Sequence, residues 1–192
     1  MATKTFEQPD LVQGSPFAVY AGVDCPSVGM NDSEAIARAR RRLAYIEGRW
    51  VDRRVQAMIL AVGDSLTDGT LLDMMMEAET IAAENYGGYA TIMLTKPMTL
   101  CAWSQRLIER AGDGSLVTPN GTRIANVAGI PGSAFNIYLT GQITLLEGPV
   151  IDRITPEVTL PDGTCVGRRA LAERVYVPLI ECLMYSGIAT CP

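Results

Sequence analysis

About thirty consecutive residues, Asn31 to Val62, read as one helix. Apolar side chains recur at Ile36, Ala39, Leu43, Ile46, Trp50, Val51, Val55, Met58, Ile59 and Val62, at spacings of three and four. Asp32 and Ser33 open the stretch as good N-cap residues. A helix of this length spans roughly 45 Å, the width of a domain, so the remaining chain has to pack along it. It also concentrates cations. Arg38, Arg40, Arg41, Arg42, Arg49, Arg53 and Arg54 are 7 of the 16 basic residues of a chain whose net charge is -5. With Glu47 and Asp52 counted, the segment from Arg38 to Arg54 carries about +5, and everything else is correspondingly acidic.

A chain of 192 residues fits one domain, or one with a small extra lobe. At 48% hydrophobic, 19% charged and a mean hydropathy of +0.15 it is rich in apolar surface. Nine methionines add adaptable apolar volume. A Met-rich core and burial between subunits explain that composition equally well. The acidic balance argues against a general nucleic-acid binder while leaving room for one basic face.

The five cysteines, Cys25, Cys101, Cys165, Cys182 and Cys191, are scattered, with no Cys-x-x-Cys. The expectation is reduced, mostly buried thiols, with neither a disulfide framework nor a zinc site. Met1 to Pro9 shows no signal-peptide pattern, and no apolar run approaches a membrane span. A chain made in the cytoplasm, with no membrane partner, is expected; the Asn120-Gly121-Thr122 sequon then has no role.

Met1 to Met30 reads as an arm with one strand-like run, Phe17 to Val23. Beyond the long helix, Thr70 caps a second helix to Asn85, stopped by Gly87-Gly88. Tyr89 to Leu94 is a predicted strand, ended near Pro97. Thr99 to Arg110 is predicted as a third helix with Leu100, Trp103, Leu107 and Ile108 inward. Turns are expected at Asp113-Gly114 and Pro119-Asn120-Gly121, around short strands at Leu116-Val117 and Ile124 to Val127. Phe135 to Leu139 and Gln142 to Leu146 are predicted to pair as a hairpin about Thr140-Gly141. Ile151 to Ile154 and Val158 to Leu160 are short strands, with a turn at Asp162-Gly163. Arg169 to Arg174 is predicted to begin a helix that becomes extended before Pro178. The apolar tail, Leu179 to Ile188, has to be tied down in a sheet or against a neighbour. The fold class is α+β.

Chemistry is sparse. Gly63-Asp64-Ser65-Leu66 resembles the nucleophile block of GDSL (SGNH) serine esterases. That mechanism requires a histidine base, and the chain contains no His. The asparagine block, Gly29-Met30-Asn31-Asp32, precedes the serine where the family has it after. A helix stop and turn is the favoured reading of Gly63 to Gly69, and no catalytic, metal or cofactor site is expected.

One resemblance covers most of the chain. Tyr86-Gly87-Gly88-Tyr89-Ala90-Thr91-Ile92-Met93, the helix with Trp103, Gly114-Ser115-Leu116-Val117-Thr118-Pro119-Asn120-Gly121-Thr122, Val127-Ala128-Gly129-Ile130-Pro131-Gly132 and Ile137-Tyr138-Leu139-Thr140-Gly141 occur in this order. Together with Phe17-Ala18-Val19-Tyr20 and the Arg-rich helix, they resemble the major capsid proteins of HK97-fold phages. The resemblance is strongest to those of phages infecting actinobacteria. It implies an HK97-like fold with a long spine helix, a peripheral-domain sheet and an axial domain. It divides the chain into an arm (1–30), a spine helix and turn (31–69), an axial domain (70–147) and a return to the peripheral domain (148–192). It implies a structural protein, not an enzyme, that self-assembles through pentamers, with hexamers open, into an icosahedral shell around double-stranded phage DNA. Assembly in the host cytoplasm, location in the virion, and cement, scaffolding or portal proteins as companions follow from the same resemblance. Arg38, Arg41, Arg42, Arg49 and Arg53 would face inward to the DNA, against pairing with acidic neighbours in adjacent subunits as the alternative. Loops at Gly114, Asn120 and Gly121 would sit at the capsomer axis. An encapsulin-like compartment shell shares all of this except the cargo. The chain is short for such a protein and leaves little room for a long extended hairpin.

Overall fold

A computed structural model describes residues 11–25, 31–86, 88–130, 135–155, 167–181 and 183–191. In chain order the elements are β1 (Leu11–Gln13), β2 (Phe17–Cys25), α1 (Asp32–Val62), β3 (Asp64–Ser65), β4 (Gly69–Thr70), α2 (Leu71–Asn85), β5 (Thr91–Thr95) and α3 (Lys96–Ser104). There follow β6 (Glu109–Arg110), β7 (Leu116–Val117), β8 (Arg123–Val127), β9 (Asn136–Thr140), β10 (Ile143–Glu147), β11 (Ile151–Thr155), β12 (Arg168–Glu181) and β13 (Met184–Thr190). The class is mixed α+β, as expected. The predicted strand at Val158 to Leu160, the turn at Asp162-Gly163, and Gly87, Pro131, Gly132, Cys165 and Cys182 lie outside the described residues.

The chain forms two compact units. The first comprises residues 1–14, 52–144 and 178–192, the second residues 15–51 and 145–177.

In the first unit the sheet order is β3-β13-β9-β5-β8-β7-β6, with β4 also on β13. β5 runs parallel to β8 and antiparallel to β9, and β9 runs antiparallel to β13. Ile92 and Leu94 of β5, Ile137 and Leu139 of β9, and Ile124 of β8 point to one face, two residues apart as strand geometry requires. They meet Leu71, Met74, Met75 and Ala78 of α2 and Met98, Cys101 and Ala102 of α3. The Thr70 side chain accepts from Asp73 N, capping α2 as its sequence predicts. The apolar tail is tied down as β13, in the interior of this sheet.

In the second unit, β12 carries β2 along Arg168–Tyr176 and β11 along Arg169–Glu173. The two registers overlap, so these strands lie on opposite sides of β12. Ala170, Ala172 and Tyr176 alternate inward and meet Ala35, Ala39 and Leu43, spaced four apart on α1. Phe17 stacks on Tyr176, ring centroids 5.7 Å apart.

Five expectations are corrected. The cap of α1 is Asn31: its Oδ1 accepts from Glu34 N (2.8 Å) and Ser33 Oγ (2.7 Å). The third helix is Lys96–Ser104; Pro97 sits in its first turn, where a missing N–H costs nothing, and Leu100 and Trp103 are exposed. Arg106, at φ 59°, turns the chain out of it into β6. β9 and β10 do not form a hairpin, because β9 takes β5 and β13 as neighbours and β10 joins β12. Arg169 to Arg174 is strand: the helix-forming propensity of Ala-Leu-Ala-Glu is overridden by a period-two burial pattern that runs the length of β12. Finally, Cys101 and Cys191 form a disulfide, Cα atoms 6.2 Å apart, where reduced thiols were expected. Widely separated cysteines said nothing about it because β13 and α3 become neighbours only in the folded sheet.

Candidate functional site

The five arginines assigned to DNA divide by surroundings. At 100° per residue, Arg38, Arg41, Arg42 and Arg49 fall within a sector of about 100° on α1, and Tyr45 lies inside it. Tyr45 is 90% exposed. Arg38 pairs with Glu34 at 2.7 Å, one turn earlier. Arg41 Nε reaches back to the Ala37 carbonyl (3.4 Å), and Arg42 donates to the Gly22 carbonyl (3.1 Å). Arg49 is exposed, with no hydrogen bond or ion pair among the described residues. Arg53 is half-buried and donates to the Gly129 carbonyl (3.3 Å). The first four therefore form one exposed basic face, and Arg53 works as a structural donor. Arg40, on another side of the helix, pairs with Asp152.

Arg53 belongs to a grip that the sequence pattern did not reveal. Asp52 Oδ2 accepts from Ala128 N (3.1 Å), and Gln56 Nε2 donates to the carbonyls of Asp52 (3.1 Å) and Ala128 (3.4 Å). Gln56 is fully buried, and its Oε1 has no hydrogen-bond partner among the described residues. Burial holds the Asp52 carboxyl above its ordinary value, partly offset by the Ala128 N–H and by Lys96. The signal was Asp52, Arg53 and Gln56 which, with the exposed Arg54, interrupt a half-helix whose other residues are apolar.

The loops assigned to a capsomer axis are two tight turns flanking β7. Gly114 (φ 84°) and Gly121 (φ 91°) occupy left-handed conformations that glycine adopts without strain. Gly114 N donates to the Ala111 carbonyl and Gly121 N to the Thr118 carbonyl, each at 2.9 Å. Glu79 on α2 accepts from both Thr118 Oγ1 and Asn120 Nδ2, fixing the second turn. Asn120 and Gly121, with Glu79, Tyr86, Asp113 and Arg123, line an open cavity of about 650 Å³.

Ser65 is exposed, on a two-residue strand parallel to β13. The residues before it, Ile59 to Val62, are the last turn of α1, where an esterase nucleophile would follow a strand. Gly63 ends that helix in close quarters: a Cβ there would lie 2.6 Å from the Ile59 carbonyl oxygen and 2.9 Å from that of Met184. No group of three or more metal-ligating side chains occurs among the described residues, and no described helix is long and apolar enough to cross a membrane.

No protein-family model matches the chain, and no curated protein matches it. Among solved structures it is similar to a virus-like particle from Pyrococcus furiosus, at 13% identity and a TM-score of 0.48. That similarity covers 96% of this chain and 79% of the other.

Proposed function

We propose that this chain is the subunit of a self-assembling protein shell, specifically an HK97-type phage capsid that encloses double-stranded DNA. The observation that carries the reading is apolar surface left bare at helical spacing. Leu72 (45% exposed) and Met76 (60%) lie four apart on α2; Leu100 (73%) and Trp103 (48%) lie three apart on α3. Burying a fully exposed side chain of this size contributes roughly 1.5–3 kcal/mol, and with about half or more of each still exposed a covering neighbour gains a comparable share, which matters when repeated around a ring. The motif order from Phe17 to Gly141 resembles the capsid family and supports the same reading, with the turns at Gly114, Asn120 and Gly121 at the centre of a capsomer.

Each subunit repeats the same heterologous contacts, which close into rings and then into a shell. The exposed face of Arg38, Arg41, Arg42 and Arg49 would offset phosphate charge without reading sequence. An encapsulin-like compartment uses the same assembly with protein cargo, and the basic face favours nucleic acid over it.

The test is sedimentation of the expressed chain with negative-stain imaging of the fast fraction. Closed particles are expected, and Met76→Asp with Leu100→Asp should abolish them while leaving a folded subunit. A wild-type chain that stays near 20.7 kDa at every concentration and with phage lysate added would overturn the reading. Nucleic acid in the particles supports the capsid, a protein cargo the compartment. The Arg38→Glu, Arg41→Glu, Arg42→Glu triple variant should form shells that retain little DNA; normal DNA content would remove the arginines from that role.

A further inference from the structure

A second feature of the first unit remains without a role. Thr91 on β5 is the cross-strand partner of Arg123 on β8 and of Thr140 on β9, so the three stand in one row and share one face of the sheet. This face is opposite to the one holding Ile92 and Leu94. The small Ala125, two residues along from Arg123, leaves a depression, and Tyr89 (87% exposed) and Gln142 stand at its rim. The resulting cavity is about 410 Å³ and no carboxylate lines it.

Arg123 is exposed and has no hydrogen bond or ion pair among the described residues. Asp113 feels its field without forming an ion pair with it; the Asp113 Oδ1 accepts from Ser115 N (2.9 Å) and Ser115 Oγ (2.6 Å). A guanidinium beside a threonine hydroxyl and a Gln amide is a donor-rich site whose matching ligand is a carboxylate, which the Arg fork takes through two parallel N–H···O bonds. The same unit presents such groups. Asp64, Glu84 and Glu109 are exposed, and none has a partner among the described residues.

We infer that the Arg123–Thr91–Thr140 cavity is a docking site for an acidic side chain of a second copy of this chain, supplied by Asp64, Glu84 or Glu109. This rests on the self-assembly reading and names one of its contacts. A cation-lined hollow on one side of a subunit and unpaired carboxylates elsewhere on it form the two halves of a heterologous contact.

The experiment places a photo-crosslinking benzoylphenylalanine at Gln142 and mixes light and isotopically heavy chains before assembly. Irradiated particles should yield light–heavy crosslinked peptides that contain Asp64, Glu84 or Glu109. Crosslinks confined to one chain, or to peptides without these residues, overturn the docking site while the particles themselves uphold self-assembly. In parallel, Arg123→Glu should lower the assembled fraction about tenfold at equal concentration, through like-charge repulsion at a repeated contact. One of Asp64→Arg, Glu84→Arg or Glu109→Arg should restore it. Trp103 fluorescence checks that the variant is folded. Normal assembly of Arg123→Glu overturns the inference alone; failure of the wild type to assemble overturns both. A third arm adds millimolar glutarate to assembling wild-type chains. Competitive inhibition is expected; glutarate binding at Arg123 without any effect on assembly would reassign the site to free dicarboxylates.

Discussion

In the first unit two helices cover a seven-rung path of strands with leucine, isoleucine and methionine, whereas in the second the matching layer of α1 on β12 is built largely from alanine. The difference in side-chain size is repeated in charge. Among the described residues, the pairs Arg38–Glu34, Arg40–Asp152, Arg153–Glu173, Arg168–Asp32, Arg169–Asp24, Arg174–Glu47 and Arg174–Glu147 gather in the second unit. A thin alanine interface lets helix and strand approach closely but buries little apolar area, and the surrounding charges then fix position and register. The first unit has area to spare and is pinned further by Cys101–Cys191. Burial and electrostatics thus answer to different solvent variables in the two halves of one chain.

Each unit holds one tryptophan, Trp103 in the first and Trp50 in the second, so Trp50→Phe and Trp103→Phe backgrounds report them separately. The largest effect is expected from Leu94→Ala, which empties a fully buried site in the first unit and should cost about 2–5 kcal/mol in urea unfolding followed by Trp103. If the Trp50 transition falls as far, the contrast between units fails. Next is Cys101→Ser, or reduction of the wild type. The disulfide closes a separation of 90 residues, for which chain entropy sets a loss of about 4.6 kcal/mol as the upper figure, again read at Trp103.

Arg174→Met is smaller and should appear at Trp50. Arg174 lies 3.2 Å from Glu147 and 3.5 Å from Glu47, partly screened, and its loss should cost about 1 kcal/mol. One molar salt should lower the Trp50 midpoint of the wild type and leave that of Arg174→Met less affected. The smallest effect has the opposite sign. Burial raises the folded pKa of Asp52 above 3.8, so its contribution is fully favourable below pH 3.8 and is lost as pH rises through the folded value. Asp52→Asn keeps an acceptor for Ala128 N and should raise Trp103-detected stability slightly at pH 7, with no gain at pH 3.5. A loss at pH 7 would show that the ionised carboxylate, not its shape, holds the 128–130 segment.

Local signals carried much of this architecture. Thr70 before an apolar run defined α2 to the residue, the Asp113-Gly114 and Asn120-Gly121 pairs located both left-handed turns, and Phe17 to Val23 appeared as strand. What stayed hidden was decided by partners remote in sequence. Ala-Leu-Ala-Glu reads as helix until β2 and β11 flank it, and the hairpin at Thr140-Gly141 loses to β13, which arrives more than forty residues later and takes the edge of β9. Leu100 and Trp103 were assigned inward because periodicity shows that a face is apolar without showing what covers it. The basic sector of α1 was legible as charge. The row of Thr91, Arg123 and Thr140 was not, since it exists only in the register of three strands.

The interior position of β13 also imposes an order on synthesis. All five residues of β9 are buried, yet until residues 184–190 leave the ribosome that strand has an open edge and the Leu66–Met74 side of the core has nothing to close on. A nascent chain therefore displays a sticky, unfinished sheet until β13 is made, and one terminated before β13 displays it permanently. Loss of β13 thereby turns a buried strand into an exposed pairing edge, and chains cut before it become prone to aggregate.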